Sequence, residues 1–195
     1  NSAKAQLYPS LPRPVLKSSG WMTELVSRLL FIIVVYILIN LLSVRFVVDG
    51  PSMRPGFETG QFLLVSRLDY LLGNPARGDV AVFHFPDDPT QDYIKRVLGL
   101  PGETLEIRAG MLYINGRLFD EPYLYAQCEL PGCADGIWQL GADEYFMMGD
   151  NRQQSSDSRA FGAIERQHMV GRVILRYWSP ADAGRIYSYQ YQDEK

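Results

Sequence analysis

The chain has 195 residues, of which 47% are hydrophobic and 12% aromatic, enough for one domain with a sizeable core plus an appendage. The net charge of −3 is unevenly distributed, since residues 1–28 carry a net charge of +3 and the remainder −6. An acidic main domain argues against nucleic acid as a partner, because nucleic-acid binding needs a basic face. The two cysteines are too few for a zinc site without histidines nearby.

The start of the chain predicts a tail followed by an apolar segment. Residues 1–20 contain several prolines and serines and a small basic excess, which is typical of a flexible tail. Sixteen uncharged residues follow Arg28. As a helix they would span about 24 Å, short of the roughly 30 Å hydrocarbon core of a bilayer. Extension back to Trp21, with Arg28 reaching to the membrane surface, closes this gap.

Three interpretations of the apolar segment compete. A cleaved signal peptide needs small residues at its cleavage site, and Leu42-Ser43-Val44 fits this poorly. A buried core helix would have to be apolar all round. A single transmembrane anchor over residues 21–48 agrees best with the length and the flanking charges. It puts the basic tail in the cytoplasm and residues 49–195 outside it, as an extracytoplasmic domain.

The remaining residues predict a mostly β domain of antiparallel sheets. Hydrophobic residues recur with period two in short segments, and Asn115-Gly116 is a strong hairpin-turn signal. Little helix is expected beyond the anchor, apart from one turn near Pro180. The predicted strands are Gln61–Ser66, Asp79–Phe85, Asp92–Leu98, Thr104–Arg108, Met111–Asn115, Glu144–Met148 and Gly171–Trp178.

A serine lies between two prolines just past the apolar segment, in Gly50-Pro51-Ser52-Met53-Arg54-Pro55. Pro51 fixes its own φ, and Pro55 biases Arg54 towards an extended backbone. We therefore expect Ser52 on a stiff, extended segment, and we interpret it as a nucleophile. The alternative is an ordinary loop serine.

A serine nucleophile needs a base. Neither His84 nor His168 lies in a motif that resembles a catalytic triad. Lys95 is the candidate, because its predicted strand face also carries Tyr93, and burial there would lower the pKa of the lysine. Arg96 would lie on the opposite face, in water. The alternative for Lys95 is a lysine that extends from a sheet edge into solvent.

A loop over residues 149–159 is dense in Asp, Asn, Ser and Arg, which suits a solvated loop or a rigid wall of an active site. Together with three further segments, Pro51–Pro55, Arg77–Phe83 and Tyr93–Gly102, it resembles in order the sequence boxes of type I signal peptidases. The resemblance takes in the apolar segment and covers about residues 25–180.

The resemblance implies a membrane-anchored Ser/Lys endopeptidase of a bacterial-type cytoplasmic membrane. Such an enzyme removes the signal peptides of translocated preproteins after small residues, at Ala-x-Ala-like sites. The resemblance also implies coiled antiparallel β-sheets of the signal-peptidase type, contact with membrane lipid, and no metal or cofactor.

The resemblance further implies site residues. Ser52 is the nucleophile and Lys95 the general base. Ser155 matches the serine that orients the lysine, and Asp157 and Arg159 match a supporting polar pair. The positions that line the pockets for small substrate side chains match Met53, Phe57, Tyr93 and Ile94. Three departures are Gln153-Gln154, where the family often has Asp-Asn, Gly56, where threonine is usual, and Gly50, where some members have a serine that assists the oxyanion hole.

Two other functions remain open. A self-cleaving Ser/Lys repressor protease shares the chemistry, but the apolar segment and the lack of a DNA-binding domain count against it. A membrane-tethered β domain that only binds partners would lack a reactive Ser52. Separately, Cys128 and Cys133 lie five residues apart in a chain expected in an oxidising compartment, which predicts a disulfide. The alternative is two free thiols on a surface loop.

Overall fold

The computed structural model describes residues 20–124, 133–189 and 191. An apolar helix, α1 (Gly20–Leu42), precedes a β domain, and the chain divides into two compact units between residues 39 and 40. No residue of α1 is buried. Within the described ranges, α1 is the one helix long and apolar enough to cross a membrane. The predicted tail lies outside the described residues except for Gly20.

The helix ends earlier than the predicted end of the anchor at residue 48. Residues Ser43–Val47 form strand β1, which pairs antiparallel with β2 (Phe62–Ser66). Valine and phenylalanine in this segment favour a strand, and pairing with β2 satisfies its backbone. The 23 residues of α1 still span about 34 Å at about 1.5 Å per residue, so the shorter helix remains long enough for a bilayer.

The rest of the described β domain consists of short strands, two short α-helices and three 3₁₀ turns. The further strands of the described chain are β3 (Val80–Phe85), β4 (Asp88–Gly99), β5 (Thr104–Arg108), β6 (Met111–Ile114), β7 (Arg117–Leu118), β8 (Gly136–Gln139), β9 (Glu144–Met148), β10 (Ile164–Glu165), β11 (Met169–Trp178) and β12 (Gly184–Arg185). The short helices are α2 (Leu68–Leu72), α3 (Ser158–Phe161) and the 3₁₀ turns Arg152–Gln154, Arg166–His168 and Pro180–Asp182.

Two sheets build the domain, and all their strand pairs are antiparallel. The larger sheet has the order β1-β2-β11-β3-β4-β9-β10, with β12 paired to β11. The smaller sheet has the order β7-β6-β5-β8. Asn115 and Gly116 have φ values of 52° and 78° and close the hairpin between β6 and β7. The predicted fold class is therefore confirmed, and each of the seven predicted strands has an observed counterpart.

Strand β4 carries Lys95. Both faces of this strand are covered from Lys95 to Gly99, so the backbone that holds the lysine is fixed by packing on both sides. On the face opposite Lys95, Leu98 belongs to the core of the smaller sheet. The prediction that Arg96 stays in water is wrong, since Arg96 is only 7% exposed. Its guanidinium lies 4.3 Å from the centre of the Tyr123 ring. The second sheet covers this face, and no pattern within β4 itself could reveal that cover.

The cysteine prediction remains a prediction. Cys133 is buried, and the described part of the chain contains no free cysteine. Cys128 lies outside the described residues. The structure therefore does not test the pairing.

Candidate active site

Ser52 and Lys95, 43 residues apart in the chain, meet in one cleft. Lys95 Nζ donates to Ser52 Oγ at 2.8 Å and to its neighbour's carbonyl, Ile94 O, at 3.0 Å. Lys95 is 4% exposed. Among the described residues, Lys95 is the one hydrogen-bond partner of Ser52 Oγ. The structure therefore brings together a hydroxyl and a desolvated amine at proton-transfer distance.

Burial lowers the pKa of the Lys95 ammonium to about 8, and the more distant charges of Asp157 and Asp150 offset only part of this shift. The desolvation has a visible source, because the Tyr93 ring centre lies 5.3 Å from Nζ. That ring is itself fixed by stacking on Phe85 at 4.9 Å and by contact with Phe161. A useful fraction of Lys95 is therefore neutral near pH 8.

Each carboxylate near Lys95 is bound to an arginine. Asp157 accepts from Arg159 Nε at 2.7 Å and from Nη2 at 2.8 Å. Asp150 accepts from Arg96 Nε at 2.8 Å and from Nη2 at 2.6 Å. Burial alone would raise the pKa of Asp157, but Arg159 and the Gly149 backbone N–H outweigh this and hold that pKa below its ordinary value. Both carboxylates are therefore engaged in charge-assisted hydrogen bonds to arginines and not in a hydrogen bond to Lys95.

The polar loop holds the nucleophile segment in place. Asn151 N donates to Ser52 O at 3.0 Å, and Asn151 Nδ2 donates to Pro51 O at 3.2 Å. A Cβ on Gly149 would lie 2.5 Å from Ser52 O, so the two backbones touch at a position where only hydrogen fits. The start of the loop over residues 149–159 therefore packs against the Ser52 segment, while Gln153, Gln154 and Ser156 are exposed to solvent.

The segment that carries Ser52 is a series of turns, not the extended backbone expected from its prolines. Residues 52–56 form consecutive turns, with Arg54 N donating to Pro51 O at 3.1 Å and Phe57 N to Met53 O at 2.9 Å. The bias that Pro55 places on Arg54 is a local preference. Burial of Met53 and contacts with the polar loop override it.

The cleft has a volume of about 410 Å³ and lies between two stretches of backbone. Residues 46–50 form one side, and residues 91–95 of β4 form the other. Before Arg96, β4 pairs only with β3 among the described strands, and β1 is the terminal strand of its sheet. Both walls therefore present free strand edges to the cleft.

Two of the four predicted pocket residues line this cleft, Tyr93 and Ile94. Met53 and Phe57 are not among the residues that line this cleft, so their predicted role stays a prediction. They are almost completely buried in a core cluster with Val48. The turns after Ser52 direct both side chains inward, so that they support the cleft wall from behind.

Ser155 makes no hydrogen bond to Lys95. Its Oγ is buried and has no hydrogen-bond partner in the described chain. It nevertheless belongs to the site, since a Cβ on Gly149 would collide with Ser155 Oγ. A buried hydroxyl without a partner has unused donor and acceptor capacity beside the polar loop.

Neither histidine bonds to Ser52. His84 Nδ1 lies 2.6 Å from Asp92 Oδ1, and the Nδ1 atom of His168 is buried without a hydrogen-bond partner in the described chain. Asp92 lines the cleft and His84 does not, so His84 is linked to the site only through its contact with Asp92.

Sequence reasoning missed several site residues. Asn151 orients the Ser52 turn, and Asp150 pairs with Arg96. Strand alternation could have indicated the lining residues Leu63 and Val82, because each lies on the inward face of a predicted strand. The role of Asn151 had no comparable signal, since it depends on a contact across 100 residues.

Comparison with known proteins gives consistent matches. Residues 21–178 match the family described as "Signal peptidase, peptidase S26". A signal peptidase I from Bacillus caldolyticus is 41% identical over 145 residues, which is 69% of this chain and 79% of that protein. A signal peptidase IB from Staphylococcus aureus is 31% identical over 169 residues, 79% of this chain and 87% of that protein. A crystal structure of a signal peptidase I from Enterococcus faecalis is 33% identical, covers 51% of this chain and 97% of that chain, and has a TM-score of 0.46.

Matches of this extent define a hydrolase that acts on peptide bonds. The chain belongs to the signal peptidase family, peptidase S26, as an enzyme of the signal peptidase I type. Its reaction is the cleavage of signal peptides.

Replacement of Gly149 by alanine tests the wall of the site. Gly149→Ala should lower kcat/KM by about 10²-fold, because the methyl group must displace Ser52 or Ser155, and a shift of about 1 Å in a reacting group can cost that much. Gly56→Ala is the matched control, since its Cβ would meet atoms only at 3.5 Å and 3.8 Å. Peptide cleavage by both purified variants measures the effect. Equal activities would contradict the tight contact.

Proposed function

We propose that the chain is a membrane-anchored endopeptidase that uses Ser52 as nucleophile and neutral Lys95 as general base. The observation that carries the proposal is the distance of 2.8 Å between Lys95 Nζ and Ser52 Oγ, with Nζ buried and without a carboxylate partner. The base is an amine, so the mechanism requires no metal or cofactor.

Acylation follows from this geometry. In the neutral amine the hydrogen bond reverses, and the Ser52 hydroxyl donates to the lone pair of Nζ. As Ser52 Oγ attacks the scissile carbonyl carbon, its proton passes to Nζ. The tetrahedral intermediate collapses when Lys95 gives this proton to the leaving amine. In deacylation, neutral Lys95 takes a proton from water, which attacks the acyl-enzyme.

The developing oxyanion needs a donor. The backbone N–H of Ser52 donates to no acceptor among the described residues, which makes it available for this role. Such a donor typically contributes roughly 2.7–4 kcal/mol to catalysis. Gly50 has no hydroxyl, and its own N–H donates to Thr59 Oγ1 at 3.1 Å. A second donor therefore does not come from residue 50.

We propose that the substrate enters as an extended strand between the two free edges of the cleft. The exposed edge of β4 over residues 91–95 can hydrogen-bond such a strand, as in other cases of β-strand addition. Leu63, Val82 and Ile94 line the cleft beside Ser52 and leave room for small side chains. This supports cleavage after small residues such as alanine.

Three further residues support the dyad in this proposal. Asp157 and Arg159 fix the polar loop that contacts the Ser52 turn. Ser155 contributes a neutral hydroxyl beside Gly149, and a neutral group can orient an amine without holding a proton on it. We expect its hydroxyl to orient the Lys95 amine while that amine stays hydrogen-bonded to Ser52.

The membrane placement is part of the same proposal. The helix α1 is long enough to span a bilayer, and the basic excess precedes it. We propose a single span in a bacterial-type cytoplasmic membrane with the tail in the cytoplasm and residues 49–195 outside it. The partners are then membrane lipid and the signal peptides of preproteins, and nucleic acid is not one of them.

Replacement of either dyad member should abolish cleavage. Ser52→Ala and Lys95→Ala should each lower kcat by at least roughly 10⁴-fold, and the double variant should lose little more, because the two residues act as a unit. Cleavage of a model preprotein by detergent-solubilised full-length protein, with the cut site mapped by mass spectrometry, measures this. Near-wild-type turnover by either folded variant would refute the assignment.

The pH dependence tests the base. Only neutral Lys95 can accept the proton, so kcat/KM should fall as pH drops through about 8, about tenfold per unit below it. Replacement of both His84 and His168 by glutamine should leave this limb in place. Lys95→Arg should be inactive, because a guanidinium does not deprotonate in proteins. Loss of the limb in the histidine variant would overturn the lysine-base mechanism.

The orientation can be tested in cells. Protease added to intact spheroplasts should digest residues 49–195 and release a short anchor fragment, because the domain faces outward. A cytoplasmic protein in the same cells should stay intact until lysis. Protection of the domain until lysis would contradict the orientation.

A further inference from the structure

Asp92 lines the active-site cleft but takes no part in the chemistry of Ser52 and Lys95. It lies on β4, three residues before Lys95, and its side chain is 32% exposed. A charged side chain in a cleft that binds peptides can discriminate between substrate side chains, by attracting one charge and repelling the other. The surroundings of Asp92 indicate which substrate side chain it favours.

The side chains on one face of β4 change from apolar to polar along the cleft. Val82 on β3 pairs with Ile94 on β4, and both line the cleft. One row further from Lys95, His84 pairs with Asp92. Since side chains alternate along a strand, Ile94 and Asp92 lie on the same face of β4. A peptide strand on this edge therefore meets an apolar row next to Lys95 and a polar row beyond it.

One oxygen of the Asp92 carboxylate is held and the other is open. The Nδ1 atom of His84 lies 2.6 Å from Asp92 Oδ1, and an ionised carboxylate is the acceptor in such a contact. Asp92 Oδ2 accepts no hydrogen bond from the described part of the chain. An oriented carboxylate with an open oxygen suits a side chain that donates hydrogen bonds, above all a positively charged one.

The charges of the cleft also favour a cation. The charged side chains among its lining residues are Asp49, Asp92 and Lys95. Under the proposed function Lys95 is neutral when it acts as base, which leaves two carboxylates and no lysine or arginine cation in the lining. A basic substrate side chain is therefore attracted to the cleft, and an acidic one is repelled.

Strand alternation determines which substrate residue meets Asp92. This step rests on the proposed function, in which the peptide lies extended along β4 and is cut after small residues. In an Ala-x-Ala pattern the first and third residues before the cut share one face of the strand, and the apolar row at Ile94 accommodates small side chains there. The fifth residue before the cut is the next one on that face, and it reaches the row of Asp92.

We propose that Asp92 is a specificity-determining residue that favours preproteins with lysine or arginine as the fifth residue before the cut. The basic group of the substrate meets Asp92 Oδ2, while His84 holds Oδ1. This preference adds to the requirement for small residues and does not replace it, because the two rows contact different substrate side chains.

Cleavage of a matched set of model preproteins by the full-length, detergent-solubilised protein tests the proposal. The set carries lysine, alanine or glutamate at each position from the sixth to the second residue before the cut, and mass spectrometry maps the cut. Asp92→Asn removes the charge but keeps an oxygen that can accept from His84. Asp87→Asn is the matched control, because Asp87 is exposed on the same hairpin and does not line the cleft. The readout is a ratio of two substrates on one enzyme, so a loss of folded protein does not alter it.

At the fifth position the wild type should cleave the lysine substrate with a kcat/KM at least about fivefold higher than that for the glutamate substrate, as expected for an ion pair at a partly exposed site. Asp92→Asn should reduce this ratio to about twofold or less, and Asp87→Asn should leave it unchanged. Sodium chloride at about 1 M should also reduce the wild-type ratio, because salt screens exposed charges. An equal ratio in wild type and Asp92→Asn, or a lysine preference at a different position, overturns the proposal.

The alanine substrates report on the proposed function independently. If the wild type cuts them after the small residues and Ser52→Ala does not, a missing lysine preference rejects the role of Asp92 alone. If the wild type leaves them uncut, or if Ser52→Ala cuts them as well, the proposed function and the role of Asp92 are both rejected.

Discussion

Burial of the Lys95 amine without a counter-ion is the constraint on which the rest of the site depends. An unpaired ammonium in the interior is costly, so the group lowers its pKa. Two carboxylates close enough to act on Lys95 could reverse this shift, yet each is held by an arginine, Asp157 by Arg159 and Asp150 by Arg96. The polar loop therefore stabilises the surroundings of Lys95, but it places no carboxylate in hydrogen-bond contact with the amine. Such a carboxylate would favour the protonated form of the lysine.

The same loop also positions Ser52, the proposed nucleophile. Contacts from Gly149 and Asn151 fix the backbone of Ser52, and Lys95 reaches Ser52 from the neighbouring strand β4. The Ser52 hydroxyl, the Lys95 amine and the supporting loop therefore belong to three separate segments of the chain that the fold brings together. Because the loop is tied by buried ion pairs and backbone contacts, the contact between Ser52 and Lys95 is already formed in the absence of substrate, and under the proposed mechanism this lowers the cost of reaching the transition state.

The connection between the apolar helix and the cleft is short. Strand β1 begins at Ser43, directly after Leu42, and residues 46–50 already line the cleft. The five residues of β1 span about 17 Å at about 3.3 Å per residue. One short strand is therefore all that separates the last residue of α1 from the first residues of the cleft wall along the chain.

The sequence by itself determined the apolar helix, the antiparallel β class and the pairing of Ser52 with Lys95, because hydrophobic period and short motifs are local properties. It could not determine that Arg96 is buried, that Met53 and Phe57 lie behind the cleft wall, or that the Ser52 segment turns. Those outcomes depend on the second sheet and on loop 149–159, which cover these residues from distant parts of the chain. Contacts between segments about 100 residues apart leave no periodic trace in either segment, so only the tertiary structure decided them.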